Sequence, residues 1–225
     1  RRHRGLSIVL VISRRIGQGL TLMAGRALEA LFNPATIAGC FYCFFVIAVS
    51  MSSTSVFPVR ATVLRDAKAI SDLYAQVALE TYQSLLGTDQ HPPLGQDKRQ
   101  AYWREAIEFA EPQVMAAMHG DRIVGFVGFD RSRDKGTPST MGEIWSLYVL
   151  PADWGQGAGV ALWDAAHDGL KEEGCTNVSA WVPVRNERAM RFFEHAGFKR
   201  EMTSLKTVPV GTARLEEIRL KRTLA

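Results

Sequence analysis

From residue 57 onward, apolar and polar positions alternate in short, cleanly bounded blocks. "VRATVL" (59–64) reads as a strand. Asp66 follows as a helix N-cap, and Ile70, Leu73, Tyr74 and Val77 recur at the spacing of one helical face. "GTDQHPPLGQ" (87–96) is punctuated by glycine and proline as a loop is, and "DKRQAYWREAIEFA" reads as a second helix ending near Ala110. "QVMAAMHGDRIVGFVGFD" (113–130) is a pair of apolar strands joined at His119-Gly120-Asp121, a hairpin. After the loop "RSRDKGTPST", the segment "GEIWSLYVLP" (142–151) forms a strand that Pro151 ends. A helix to about Glu173 comes next, with Gly174 as its stop. The strand "NVSAWVPV" (177–184) and a helix from Glu187 to His195 follow, and "FKREMTSL" and "ARLEEIRLKR" close the chain as strands. Strands joined both by a hairpin and by helices predict a mixed α/β sheet rather than an all-parallel one.

Residues 1–50 break this pattern. "ATIAGCFYCFFVIAVS" (35–50) is their one strongly hydrophobic run, and its densest part, Ile37 to Val49, would span about 20 Å as a helix against a hydrocarbon core of roughly 30 Å. Three readings fit it: a signal sequence cleaved after Ser50, a marginal membrane anchor, or upstream sequence preceding a true start at Met51. The third is favoured, because "MSSTSVFPVRATVLRDA" is a short polar start leading straight into a domain. The expected organisation is therefore a leader, 1–56, and a single domain, 57–225.

Charge follows the same boundary. The net charge is +4, but residues 1–50 hold six arginines against Glu29, so the remaining 175 residues sum to −1. The basic balance belongs to the leader, and no nucleic-acid partner is inferred from it. At 47% hydrophobic and 22% charged, the composition is that of a soluble globular protein. Three cysteines supply no disulfide framework. Cys40 and Cys43 have a metal or redox spacing, but no second Cys or His pair stands near them and their flanks are apolar. Cys175 reads as a buried thiol, and this usage fits a reducing, cytoplasmic compartment.

The stretch with the most chemistry in it is "LYVLPADWGQGAGVALWDAA" (147–166), where Gly155, Gly157 and Gly159 fall at every second position before an apolar helix pattern. A Walker loop would need Lys then Ser or Thr after its last glycine, and a dinucleotide fingerprint would place the third glycine one position later. What remains is a helix entry lined by small residues, whose unpaired N–H groups and positive dipole end make an anion site. The alternative is a tight strand-to-helix turn that holds no ligand.

With "NERAMRFFEHAGF" (186–198) added, the sequence resembles the GCN5-related N-acetyltransferase (GNAT) superfamily, from about Val59 to the C-terminus. The resemblance implies a mixed, mostly antiparallel sheet with helices on both faces, splayed between the "EIWSLYV" and "VSAWVPV" strands. It implies that the pantetheine arm of acetyl-CoA lies in that opening against the backbone of Leu147, Tyr148 and Val149. The pyrophosphate would sit on the amides of Trp154, Gly155, Gln156, Gly157, Ala158, Gly159 and Val160, while Asn186, Ala189 and Phe192 line the pantetheine. The family often has Arg or Gln where this chain has Trp154. Its common tyrosine, often the acid that protonates the leaving thiolate, is here Phe193, which has no proton to give.

Acetyl transfer to an amine needs a neutral nucleophile, although a lysine-like ammonium titrates near 10.4. Glu143 matches the position where many family members keep a glutamate for this. Simple strand alternation puts it on one face with Trp145, Leu147 and Val149; the competing reading is a solvated strand-end carboxylate. A backbone N–H of Leu147 or Val149 could take the oxyanion. Tyr148 is a substitute acid only if a bulge re-aims it, with a packed core tyrosine as the default. His195 reads as a solvated or capping side chain, and neither it nor His91, His119 and His167 has metal-ligand spacing, so no metal is expected.

The reading that follows is an acetyl-CoA-dependent N-acetyltransferase acting on a small-molecule or peptide amine, with no metal, nucleic-acid or membrane partner and a homodimer left open. Its alternatives are a non-catalytic acyl-CoA-binding module, prompted by Phe193, and a membrane-tethered protein, prompted by the apolar leader.

Overall fold

The computed structural model describes residues 57–87, 95–210 and 213–224. The leader, Met51, Cys40, Cys43 and the centre of the 87–96 loop lie outside the described residues. Seven strands make one sheet: β1 (Val59–Ala61), β2 (Gln113–His119), β3 (Arg122–Arg131), β4 (Met141–Val149), β5 (Asn177–Pro183), β6 (Lys199–Val210) and β7 (Ala213–Thr223). Their order is β1-β2-β3-β4-β5-β7-β6. Four helices accompany them: α1 (Ala67–Leu86), α2 (Gln96–Phe109), α3 (Ala158–Glu172) and α4 (Glu187–His195). Neighbouring strands run antiparallel except β4 and β5. Those two are joined through α3, and a helical crossover is what brings the chain back in the same direction.

The sheet carries a separate apolar layer on each face. On one, Val127, Phe129, Ile144 and Val149 pack with Leu162, Ala166 and Leu170 of α3 and Phe193 of α4. On the other, Phe126 packs with Ile70, Leu73 and Val77 of α1 and Trp103 of α2, and Tyr74 and Tyr148 close the layer. The expected mixed sheet with helices on both faces is the observed one.

Local departures have local causes. The first strand stops at Ala61 instead of reaching residue 64, and Leu64–Asp66 form a 3-10 turn. Asp66 does not cap α1 with its side chain. Its carboxylate instead accepts the Val63 N–H (2.9 Å) and two nitrogens of the Arg60 guanidinium (2.7 and 3.1 Å). The Arg60 hydrogen bonds hold that carboxyl below the usual aspartate range. Helix α1 runs to Leu86, well past its four sequence anchors, and ends where Gly87 turns the backbone to φ 93°. Strand β6 extends to Val210, with its register against β7 broken between Glu201 and Lys206.

Gly169 tests the packing of α3. Helix propensity alone says that alanine there stabilises by about 1 kcal/mol. A Cβ at that position, however, would stand 2.7 Å from two atoms of the Phe129 ring, itself 1% exposed and without room to retreat. Gly169→Ala is therefore expected to destabilise by about 1–3 kcal/mol in urea denaturation. A stabilised variant would show that the ring yields.

Candidate active site

Strands β4 and β5 pair only between Met141–Ile144 and Asn177–Ala180, and then part. The parting coincides with a bulge. Gly128 faces Ser146 while Phe129 faces Ile144, so Trp145 is an extra residue on β4. An extra residue bends the strand and resets which side chains share a face.

That reset corrects the expectation for Glu143. Asp130 opposes Glu143, Gly128 opposes Ser146 and Phe126 opposes Tyr148, so Glu143, Ser146 and Tyr148 share the α1–α2 face. Leu147 and Val149 send their side chains to the α3 face instead. Glu143 is also fully engaged. It is 1% exposed and accepts the Arg133 N–H (3.0 Å), Arg133 Nε (3.1 Å), a second and shorter bond from Arg133 Nη2, and the Ser132 hydroxyl (3.4 Å). The Arg133 guanidinium lies 4.2 Å from the centre of the Trp145 ring. Glu143 is thus neither a solvated carboxylate nor a free one; it sits in an ion pair below the point where the strands separate.

Backbone direction sorts the next residues. The Leu150 N–H bonds to Val124 O at 2.8 Å, so alternation turns the amide and carbonyl of Tyr148 toward β3 and those of Leu147 and Val149 into the gap. Tyr148 therefore offers its side chain, not its main chain. The Val149 carbonyl is already taken by the Trp154 indole N–H at 2.7 Å. The Leu147 N–H and C=O and the Val149 N–H are the groups turned to the opening. The Tyr148 ring meets Tyr74 edge-on at 5.2 Å and stacks on Phe126 at 5.5 Å. Burial, with smaller contributions from Tyr74, Tyr82 and Glu217, pushes its hydroxyl well above the ordinary tyrosine value, so it carries its proton at neutral pH.

The three glycines before α3 divide into two roles. Gly155 (φ 70°) and Gly157 (φ 101°) hold backbone conformations that L side chains rarely adopt, with open space where a Cβ would stand. Gly159 is helical, and a Cβ there would come within 3.2 Å of the Phe192 ring. Two glycines shape the turn, and the third lets α4 approach.

The first backbone bond of α3 is Ala161 N–H to Gly157 O, and the amides of Gly155 through Val160 make no backbone bond among the described residues. Trp154 differs from expectation: its N–H is spent on Pro151 O (3.2 Å), and its ring carries the Arg188 guanidinium 3.6 Å from its centre. Gln156 folds back to donate to Ala152 O at 2.8 Å. Asp153, 3% exposed, ties the turn to the β2–β3 hairpin through His119 and Arg122, both at 3.2 Å.

On α4, Asn186 Oδ1 accepts the Ala189 N–H at 3.1 Å, an N-cap, and Ala189 and Phe192 lie against the α3-side core. Phe193 is buried there beside Phe198, at 5.0 Å between ring centres. His195 is exposed, and its Nδ1 donates to Arg191 O at 2.7 Å, so it is both solvated and bonded to its own helix. No group of three His, Cys, Asp or Glu side chains among the described residues could hold a metal ion.

A parted parallel strand pair beside a glycine-turned helix entry is the arrangement the sequence resemblance implied. The sequence profile of the acetyltransferase (GNAT) family matches residues 79–198. The chain belongs to the GNAT family of acetyltransferases.

Among its curated relatives, a mycothiol acetyltransferase of Kocuria rhizophila is 34% identical over 80 residues, 36% of this chain and 26% of that protein. An uncharacterised N-acetyltransferase of Mycobacterium bovis is 34% identical over 86 residues, 38% of this chain and 52% of that protein. The GNAT chain thus matches between about a quarter and a half of the length of these relatives. An acetyltransferase from Salmonella typhimurium, solved with its cofactor acetyl-CoA, superposes with a TM-score of 0.59 at 22% identity, covering 76% of this chain and 95% of that one. A phosphinothricin acetyltransferase from Sinorhizobium meliloti in complex with acetyl-CoA gives 0.59 at 16% identity, over 76% and 89%.

Four residues around the candidate site were not singled out in the sequence. Asp153 and Arg188 brace the turn, Arg133 neutralises Glu143, and Glu217 of β7 faces the tyrosines of α1 and β4. Asp153 alone left a trace, as an acid directly after Pro151-Ala152 at a strand end.

Proposed function

We propose that residues 57–225 form an N-acetyltransferase domain that moves the acetyl group of acetyl-CoA directly to a primary amine in a ternary complex. The observation that carries this reading is the continuity of free main-chain donors, from the exposed turn at Gly155–Gly157 and the first amides of α3 to the Leu147 N–H in the gap between β4 and β5. The first set suits a diphosphate, since each amide is unpaired and no side chain stands over Gly155 or Gly157. The second suits the amides of a pantetheine arm and a developing oxyanion. To Tyr148, which keeps its proton and lies on the α1–α2 face, we assign the return of a proton to the leaving thiolate, a task closed to Phe193. The relatives named mycothiol acetyltransferase and N-alpha-acetyltransferase support an amine acceptor, small or peptidic.

A second reading, an acyl-CoA-binding module without turnover, draws on Phe193 alone. Free-thiol release from acetyl-CoA in the presence of primary amines separates the two. Turnover with at least one amine is expected. Calorimetric acetyl-CoA binding with no thiol release on any amine would favour the module.

A further inference from the structure

We propose that Glu217, rather than Glu143, is the carboxylate that takes the proton from the acceptor amine; this rests on the acetyltransferase reading. Glu217 opposes Pro183 of β5. Counting along the parallel pair from Ile144–Ala180, and allowing the bulge at Trp145 its extra residue, Pro183 stands level with Leu147 and Tyr148. Glu217 is therefore at the height of the gap, whereas Glu143 opposes Ser179 in the stretch that is still paired.

Its side chain lies on the α1–α2 face as well, the face that carries Tyr148. Leu215, two residues earlier on β7, packs with Tyr82 of α1, and period-two alternation sends Glu217 the same way. Among the described residues, the ionisable groups that share its electrostatic surroundings are Tyr82 from α1, Tyr148 from β4 and, 4.0 Å away, Lys206 from β6. On the same face one step along β7, Arg219 is occupied by Asp134 (2.7 Å) and Glu201 (2.6 Å).

The two carboxylates differ most in what already holds them. Glu143 is bound by Arg133 and Ser132, so an approaching ammonium would have to displace hydrogen bonds that its oxygens already accept. The Glu217 carboxylate accepts no side-chain hydrogen bond among the described residues, and Lys206 Nζ, 4.0 Å away, also lies over the Trp181 ring. Burial raises the Glu217 carboxyl above the usual glutamate value and Lys206 partly offsets that, the direction that brings a carboxylate toward working pH.

The step balances without a further reagent. The ammonium gives one proton to the Glu217 carboxylate, and the freed lone pair forms the N–C bond to the acetyl carbon. The C–S bond breaks as the oxyanion collapses, the second N–H proton reaches the thiolate through the Tyr148 hydroxyl, and Glu217 returns its proton to solvent.

The test compares pH profiles of kcat/KM for wild type, Glu217→Gln and Lys206→Met on the full chain. The acceptors are an Ala-initiated tetrapeptide, 1,4-diaminobutane and glucosamine, with acetyl-CoA affinity measured alongside. Glu217→Gln is expected to lose about 100-fold or more with acetyl-CoA affinity intact, and to lose the acidic limb that wild type shows. It should also fold. The raised carboxyl favours the folded state below its unfolded pKa and loses that contribution as pH rises, so the neutral amide is expected to be at least as heat-stable as wild type at pH 8. Lys206→Met removes the cation that lowers the Glu217 pKa, so its acidic limb moves to higher pH; a purely structural carboxylate would leave that limb still. Wild-type rates and limb in Glu217→Gln, an unmoved limb in Lys206→Met, or a loss confined to acceptor KM would each overturn the proton role while leaving the acetyltransferase reading standing. A wild type that turns over none of the amines would remove that reading and this inference with it.

Discussion

Gly157→Asp is expected to weaken acetyl-CoA binding by about 1,000-fold or more. A carboxylate about 4 Å from a diphosphate at an effective dielectric near 20 meets roughly 4 kcal/mol of repulsion per pair of unit charges. Two effects must be separated, because the backbone at 157 has φ 101° and an L residue there is strained at about 1–3 kcal/mol before any charge is added. Gly157→Asn divides them. Asparagine has nearly the same shape and bears the same backbone cost, so the affinity difference between the two variants reports charge alone. Calorimetry against acetyl-CoA should find Asn weakened modestly and Asp silent, with the two melting temperatures close together. Equal affinities for Asp and Asn would mean that no anion rests on this turn. Nothing stands within 4 Å of a Cβ at 157, so a clash would not explain a loss.

Legibility of the chain followed the range of the interactions. The elements came from period-two and period-3.6 patterns that each segment carries within itself, and the structure reproduces them with shifts at their ends. The mixed character of the sheet followed from strands joined both by a hairpin and by helices, but its order did not: β5 and β6 are also joined by a helix, yet β7 inserts between them. The glycine turn was legible because its chemistry is local: two residues bend the main chain, and their neighbours present the amides. The bulge at Trp145 was not. Nothing in "GEIWSLYV" marks which residue goes unpaired, since that is decided by register against β3, and β3 lies outside the window. One unpaired residue was enough to move Glu143 to the other face and to make Tyr148 its companion. Arg133 shows the same limit from another side. In sequence it is a loop arginine among charged neighbours, and only the return of the loop over β4 makes it the partner of Glu143. Trp154 shows it again, since no spacing rule sends an indole N–H back to the carbonyl of Val149.

Arg133→Met is expected to destabilise the domain by about 3 kcal/mol, more than Glu143→Gln does, although arginine is the more exposed partner. Side-chain exposure is 52% for Arg133 and 2% for Glu143, so the guanidinium loses little water on folding while the carboxylate loses nearly all of it. Removing the arginine leaves a buried anion supported only by the residue 133 N–H and the Ser132 hydroxyl, the costly way to break such a pair. Glu143→Gln removes the charge itself. Its carbonyl oxygen still accepts the backbone N–H of residue 133, and the stranded guanidinium turns to solvent across Trp145, so about 1 kcal/mol is expected. The double variant, Arg133→Met with Glu143→Gln, should lie closer to Glu143→Gln than to the sum of the two, because the second change removes the charge that the first exposes. Urea denaturation of the four proteins measures the cycle. If Arg133→Met costs no more than Glu143→Gln and the two add, the guanidinium is a surface ornament, and Glu143 would need another reason to remain an anion beneath the gap.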